Sequence, residues 1–157
     1  MKFLLLSVIS VIPCLGQFQL IEIAFDGVGC ASCIESMSAR IGRMRGVDSA
    51  MVDAQRGVVK VQLAAQNRVR LEQIRDFIEQ DGTKATRATV RVKGEISERD
   101  GKWLLQPSGL PASYEVAPGE LAALQAGSCL LTGEVAKLRP DSGAIVIKAT
   151  HAERHAR

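Results

Sequence analysis

Cys30 and Cys33 stand two residues apart in the sequence GVGCASC, and they are the residues of this chain best suited to chemistry. This spacing allows both sulfur atoms to face one point. Thiolates select soft metal ions over harder ones, and Cu(I) or Hg(II) needs only two of them in a near-linear arrangement. The pair therefore predicts a soft-metal site, with Cu(I) as the first candidate.

The elements predicted around the pair favour an open site. An apolar alternation over residues 19–26 indicates a strand, and apolar residues at helical spacing from Ala31 to Met44 indicate a helix. The unpaired N–H groups at the helix start favour thiolate over thiol. Gly27 and Gly29 allow a tight turn that leaves the sulfurs open to a partner, which suits transfer better than storage.

Two other interpretations of the pair stay open. In an oxidising compartment, two neighbouring thiols without a metal tend to form a structural or redox-active disulfide. A thiol-disulfide oxidoreductase also places CxxC at a helix start, but it usually has Trp before the first cysteine, where this chain has Gly29. We expect no enzymatic activity, because carrying a metal requires no chemistry on a substrate.

The order of elements between residues 17 and 93 predicts a ferredoxin-like βαββαβ sandwich. After the first strand and helix, Val47–Asp53 and Val58–Leu63 are β-prone runs joined by a glycine-containing turn. A second helical repeat ends at Gly82, and a fourth strand covers Ala85–Val92. The predicted core consists of Ile21, Ile23, Ile34, Ile41, Val59, Val61, Leu71, Ile74 and Ile78.

Residues 94–150 have the pattern of a small, mostly-β domain. Five strands are expected, with a helical turn over residues 118–125 between the third and fourth. This order matches a small OB-like barrel and also suits another compact β-fold. The chain is thus an α+β protein in two units, and no Pro- or Ser-rich linker separates them. Residues 151–157 are expected to form a flexible tail.

Residues 1–16 are typical of a signal peptide. Lys2 precedes an apolar run from Phe3 to Ile12, about ten residues where a membrane-spanning helix needs roughly 20. We therefore predict cleavage after Gly16, a periplasmic or secreted protein, and no permanent membrane span after cleavage. Lipid attachment at Cys14 is the weaker interpretation, because Pro13 stands where lipoprotein signals have a small residue.

Residues 19–93 resemble the heavy-metal-associated domain family of copper metallochaperones, of copper-transporting P-type ATPase modules and of the periplasmic mercury-binding protein. The family's loop usually has the sequence Gly-Met-Thr-Cys-x-x-Cys. Gly27 and both cysteines match it, whereas Val28 and Gly29 replace the Met and Thr. The resemblance implies a metal ion bound by Cys30 and Cys33, and a metal-donor or acceptor protein in the envelope.

Two departures from the family pattern bear on the metal. Near Gly82 the family often has an aromatic residue or Lys beside the metal, and this chain has Thr83 followed by Lys84. The Asp that precedes the first cysteine in zinc-preferring members is replaced by Gly29. Cu(I) is therefore favoured, with Hg(II) or Zn(II) as alternatives, of which zinc is weakened by the missing Asp.

The other reactive side chains have simpler interpretations. Cys129 lies in a predicted strand among leucines and is expected to be a buried apolar residue. His151 and His155 are four residues apart in the charged tail and are expected to be solvated, with a second metal site as the alternative. Trp103 is expected to pack inside the second unit.

The distribution of charge excludes one class of partner. A net charge of +3 is too small to indicate nucleic acid, and a single Trp and a single Tyr provide no stacking platform, so no nucleic-acid partner is predicted. Arg40, Arg43 and Arg45 end the first helix, where cations complement the helix dipole. A docking patch for an acidic partner is the alternative interpretation of these arginines.

Overall fold

The computed structural model describes residues 17–27, 30–80, 82–119, 121, 124–141 and 143–154. The predicted signal peptide and its Cys14, the loop residues Val28 and Gly29, and His155 all lie outside these ranges. The elements follow in the order β1 Phe18–Asp26, α1 Ala31–Gly42, β2 Val47–Asp53, β3 Val58–Leu63, α2 Leu71–Glu79, β4 Lys84–Arg99, β5 Lys102–Pro107, β6 Tyr114–Ala117, β7 Gly127–Val135 and β8 Val146–Arg154.

The first six elements form the predicted ferredoxin-like sandwich. Their strands are antiparallel in the order β2-β3-β1-β4, and both helices cover one face of this sheet. Eight of the nine predicted core residues are fully buried. Ile34 is only half-buried, because it lies in the first turn of α1, and Met37 and Ile41, one turn apart, face the sheet instead.

The long strand β4 belongs to both predicted units. It pairs with β1 from Lys84 to Val92 and with β5 from Gly94 to Arg99. It also pairs with β7 from Ala88 to Ile96. Because this last stretch overlaps the other two, β7 lies along one edge of β4, and β1 and β5 follow one another along the other edge. The predicted boundary at residues 93 and 94 therefore falls inside a continuous strand.

The strands of the second unit form a closed ring of pairings. The order is β4-β5-β6-β8-β7 and back to β4, with β6 and β8 parallel and the other neighbours antiparallel. This is the strand order of an OB-like barrel. The α+β fold class predicted from the sequence is confirmed, and the barrel takes its first strand from the end of the sandwich.

Two details of the second unit differ from the prediction. β8 continues to Arg154, so the expected tail is wrong for residues 151–154, which pair with β7 between Thr132 and Cys129. Of residues 118–125, the described ones form no helix, and the N–H of Leu121 donates to the carbonyl of Pro118 at 2.9 Å in a single turn.

No described helix is long and apolar enough to cross a membrane.

Contacts along the whole of α2 join it to the barrel. Near its start, the Tyr114 hydroxyl donates to Glu72 at 3.0 Å, and the Tyr114 ring packs edge-on against Phe18 with the ring centres 5.5 Å apart. At its middle, Arg75 Nη1 donates to the Leu138 carbonyl at 2.7 Å. Apolar side chains of both units form one continuous buried cluster. The barrel therefore fixes the position of α2, the helix that precedes the connection to β4.

Candidate metal site

Cys30 and Cys33 lie where β1 gives way to α1. Cys30 is the N-cap residue of α1, with φ −138° and ψ 143°, and its sulfur accepts a hydrogen bond from the N–H of Cys33 at 3.1 Å. Cys33 is the third residue of the helix. The cap places the Cys30 sulfur over the first helical turn, where the N–H groups and the helix dipole favour negative charge.

The two sulfur atoms are bonded to each other in this structure. Cys30 Sγ and Cys33 Sγ are 2.12 Å apart, and the Cα atoms are 5.3 Å apart. The expectation from spacing, that both sulfurs can reach one point, agrees with this geometry. The disulfide interpretation that the sequence left open describes this oxidised state.

The pair is accessible, and no carboxylate lies in the helical turn that contains it. Cys30 is exposed and Cys33 is half-buried, and the Ser32 hydroxyl lies 3.3 Å from Cys30 Sγ. The first turn of α1 contains no acidic residue. After reduction, the partial positive charge of the helix start would act on the sulfurs without a carboxylate in that turn to oppose it.

The connection between α2 and β4 lies beside the cysteine loop. Gly27 has φ +97°, and a Cβ added there would be 3.7 Å from the Gly82 carbonyl oxygen and 3.9 Å from Thr83 Cα. Thr83 is buried, whereas Lys84 is exposed and pairs with Asp26 in the β1–β4 ladder. Thr83 and Lys84, at which this chain departs from the family pattern, therefore lie beside the loop that follows β1.

One residue that sequence reasoning missed helps to position this connection. Glu79, at the end of α2, accepts from the Ala85 N–H at 3.3 Å and from Arg139 Nε at 2.8 Å. These contacts fix the two ends of the connection and reach the barrel. Because Arg139 follows Glu79 by 60 residues, no local signal in the sequence indicates the pair.

The remaining predicted residues lie away from the pair. Cys129 is buried in β7, and burial raises the pKa of its thiol. His151 is exposed in β8 with its Nε2 3.2 Å from Glu153. In the part of the chain that the structure describes, no group of three or more His, Cys, Asp or Glu side chains is arranged to bind a metal.

Part of the chain that contains the cysteines is similar to known proteins. Residues 22–84, from β1 to the start of β4, match a family model described as the heavy-metal-associated domain. This segment matches the heavy-metal-associated family. Both cysteines lie inside it. The match supports metal binding, and transfer with a partner protein, as the general role of the heavy-metal-associated segment.

Two solved structures are similar to the same part of the chain. A CopZ metallochaperone is 27% identical, with a TM-score of 0.39, and the match covers 42% of this chain and 97% of that one. A copper binding domain from HMA7, a P-type ATPase, is also 27% identical, with a TM-score of 0.38 and coverage of 45% and 90%. No curated protein matches the chain.

Proposed function

We propose that this protein carries a soft metal ion, Cu(I) before Hg(II), between the sulfurs of Cys30 and Cys33 and passes it to a partner by ligand exchange. One observation carries the proposal. A strand-to-helix junction inside the heavy-metal-associated segment brings two cysteine sulfurs together at an accessible helix start.

Metal loading begins with reduction of the disulfide. An external dithiol supplies two electrons and two protons and is itself oxidised to a disulfide, which leaves two thiols on this chain. Cu(I) then replaces both protons and binds the two thiolates. The half-buried Cys33 stays on the helix, whereas the exposed Cys30 is the sulfur that an incoming partner thiolate reaches first.

The chemistry of the ligands favours Cu(I). Two thiolates satisfy a linear soft ion, whereas Zn(II) in proteins usually takes four ligands in a tetrahedral arrangement. A bis-thiolate Cu(I) complex carries one net negative charge. The helix start favours that charge.

The cellular location is part of this proposal. The N-terminal pattern of Lys2 and the apolar run to Ile12 favours export, and a periplasmic or secreted carrier would exchange its metal with donor and acceptor proteins of the envelope. In such an oxidising compartment the pair alternates between a disulfide and a metal complex.

Competition for Cu(I) tests the proposal. The reduced full chain is titrated with Cu(I) against a chromophoric Cu(I) chelator, beside a Cys30→Ser, Cys33→Ser double variant and a Cys129→Ala control. We expect wild type and the control to take one Cu(I) from the chelator and the double variant to take none at that site. Equal competition by wild type and the double variant would show that the pair is not the site.

A second candidate function is supported by the disulfide itself. The alternative is an envelope interaction or sensory module in which Cys30 and Cys33 stay oxidised. Protein isolated gently from the native compartment separates the two candidates. The carrier predicts bound metal and free thiols after metal removal, whereas the module predicts no metal and a mass lower by the two hydrogens of a disulfide.

A further inference from the structure

A concave groove lies at the end of the sandwich opposite the cysteines. Its volume is about 620 Å³, with Met44 and Val69 among its apolar lining and Arg45 and Arg68 among its polar lining. β1, with nine residues at about 3.3 Å each, separates the two ends by roughly 27 Å. The groove is therefore a separate surface from the metal site.

The groove is built from two loops that are pressed together. Gly46, in the loop after α1, has φ +94°, and a Cβ added there would lie 2.8 Å from Asn67 Cβ in the loop before α2. The Ala64 N–H donates to the Gly46 carbonyl at 3.0 Å. The two loops cannot separate without breaking these contacts, so the groove is present before any ligand arrives.

The loop before α2 is held rigidly from beneath. Asn67 is buried, and its Nδ2 donates to the carbonyls of Phe18 at 2.9 Å and Ala64 at 2.7 Å. The N–H of Gln66 donates to Gln17 Oε1 at 2.6 Å, and Gln66 itself has φ 100°. A non-glycine residue in this backbone region is strained, and such strain often accompanies binding surfaces.

Two guanidinium groups line the groove without carboxylate partners. Arg45 and Arg68 are exposed, and neither forms an ion pair with any residue that the structure describes. Arginines presented on a rigid frame bind carboxylates in paired hydrogen bonds with little further loss of freedom.

We propose that this groove binds an acidic, extended segment of a partner protein. A concave site with exposed arginines along its lining suits an extended peptide that is rich in carboxylates. A flat lipid surface fits less well, because β4 continues for seven residues past Val92 and carries the barrel beyond this end of the sandwich. A partner docked here leaves Cys30 uncovered.

Binding of a labelled octaglutamate peptide to the full chain tests the proposal by fluorescence anisotropy. The groove variant is Arg45→Gln, Arg68→Gln, and the matched control is Arg87→Gln, Arg91→Gln, two exposed arginines on the outer face of the sheet. Both variants remove two positive charges. We expect the groove variant to bind about tenfold more weakly and the control to change by less than about twofold.

The position of the bound peptide is read from amide chemical shifts. We expect changes in residues 44–46 and 66–73 and none at Cys30. Equal weakening by both variants, or no binding at low salt, would overturn the proposal. Displacement of the peptide by inorganic phosphate at the same charge concentration would also overturn the proposal. Binding to phosphatidylglycerol vesicles that depends on the groove arginines, without binding of the peptide, would overturn it as well. Unchanged circular dichroism confirms that each variant is folded.

Discussion

The sandwich and the barrel contribute differently to one molecule. The sandwich contains the Cys30–Cys33 pair and the arginine-rimmed groove, one at each end of β1. The described part of the barrel contributes Cys129, which is buried, and contacts to the start and the middle of α2. The barrel therefore acts on the site through α2 and β4. It positions these elements and supplies no ligand of its own among the described residues, so its sequence contains no motif that indicates this role.

The largest expected effect comes from the buried core that the two regions share. Ile74→Ala removes a fully buried side chain of α2 and should lower the free energy of unfolding by about 3 kcal/mol. Because one apolar cluster spans sandwich and barrel, denaturation followed by circular dichroism and by Trp103 fluorescence should give the same midpoint. Met51→Ala, at a side chain 68% exposed, is the control and should change stability little.

If the barrel unfolded independently, Ile74→Ala would shift the circular dichroism transition while leaving the Trp103 transition in place. That result would contradict a shared core and would divide the protein into two folding units.

The next largest effect is expected where β4 changes partner from β1 to β5. A Cβ at Gly94 would be 2.6 Å from the Gln106 carbonyl oxygen, so Gly94→Ala must move β5 and should cost about 2 kcal/mol. Gly42→Ala, at the end of α1 with open space around the new methyl group, is the control and should be neutral or slightly stabilising. Urea denaturation of the two variants measures the difference, and equal midpoints would contradict the close approach.

A smaller effect is expected where the barrel contacts the middle and the end of α2. Arg75→Ala removes the donor to the buried Leu138 carbonyl and should destabilise the protein by about 1.5 kcal/mol. Arg139→Ala removes a more exposed ion pair with Glu79 and should cost less. Thermal unfolding gives the order of the two variants. A larger loss for Arg139→Ala would show that the ion pair, and not the buried carbonyl, holds the contact.

The smallest effect concerns the other end of α2. Tyr114→Phe removes the hydrogen bond to Glu72 and should cost about 1 kcal/mol at neutral pH. Burial, followed by the nearby Glu72 carboxylate, raises the pKa of Tyr114 above its ordinary value of 10.0. The unfolded chain therefore loses the Tyr114 proton first, and the stability that this group contributes decreases as the pH rises above about 10.

We expect the stability of wild type to decrease more steeply than that of Tyr114→Phe above this pH. Tyr114 is the single tyrosine of the chain, so tyrosinate absorbance reports it alone. Appearance of tyrosinate at pH 10 while the protein stays folded would contradict the raised pKa.

Much of the sandwich could be predicted because its signals are local. The alternation in β1, the helical spacing in α1 and α2, and the turn residues between β2 and β3 are read within a few positions of the chain. Ile34 was misplaced because periodicity alone does not reveal which residues of a first turn face the sheet. The tail was misassigned for residues 151–154 because a charged strand at the edge of a barrel resembles a solvated segment until its partner β7 is known.

The position of two cysteines at a strand-to-helix junction follows from the amino-acid sequence, because the spacing and the flanking elements are local properties. The sharing of β4 by two units, the contact of Arg139 with Glu79, and the groove lined by Arg45 and Arg68 follow from the folded structure. Each of these depends on strand register and loop packing between distant segments, which are set by the burial of the whole core and by no single stretch of residues.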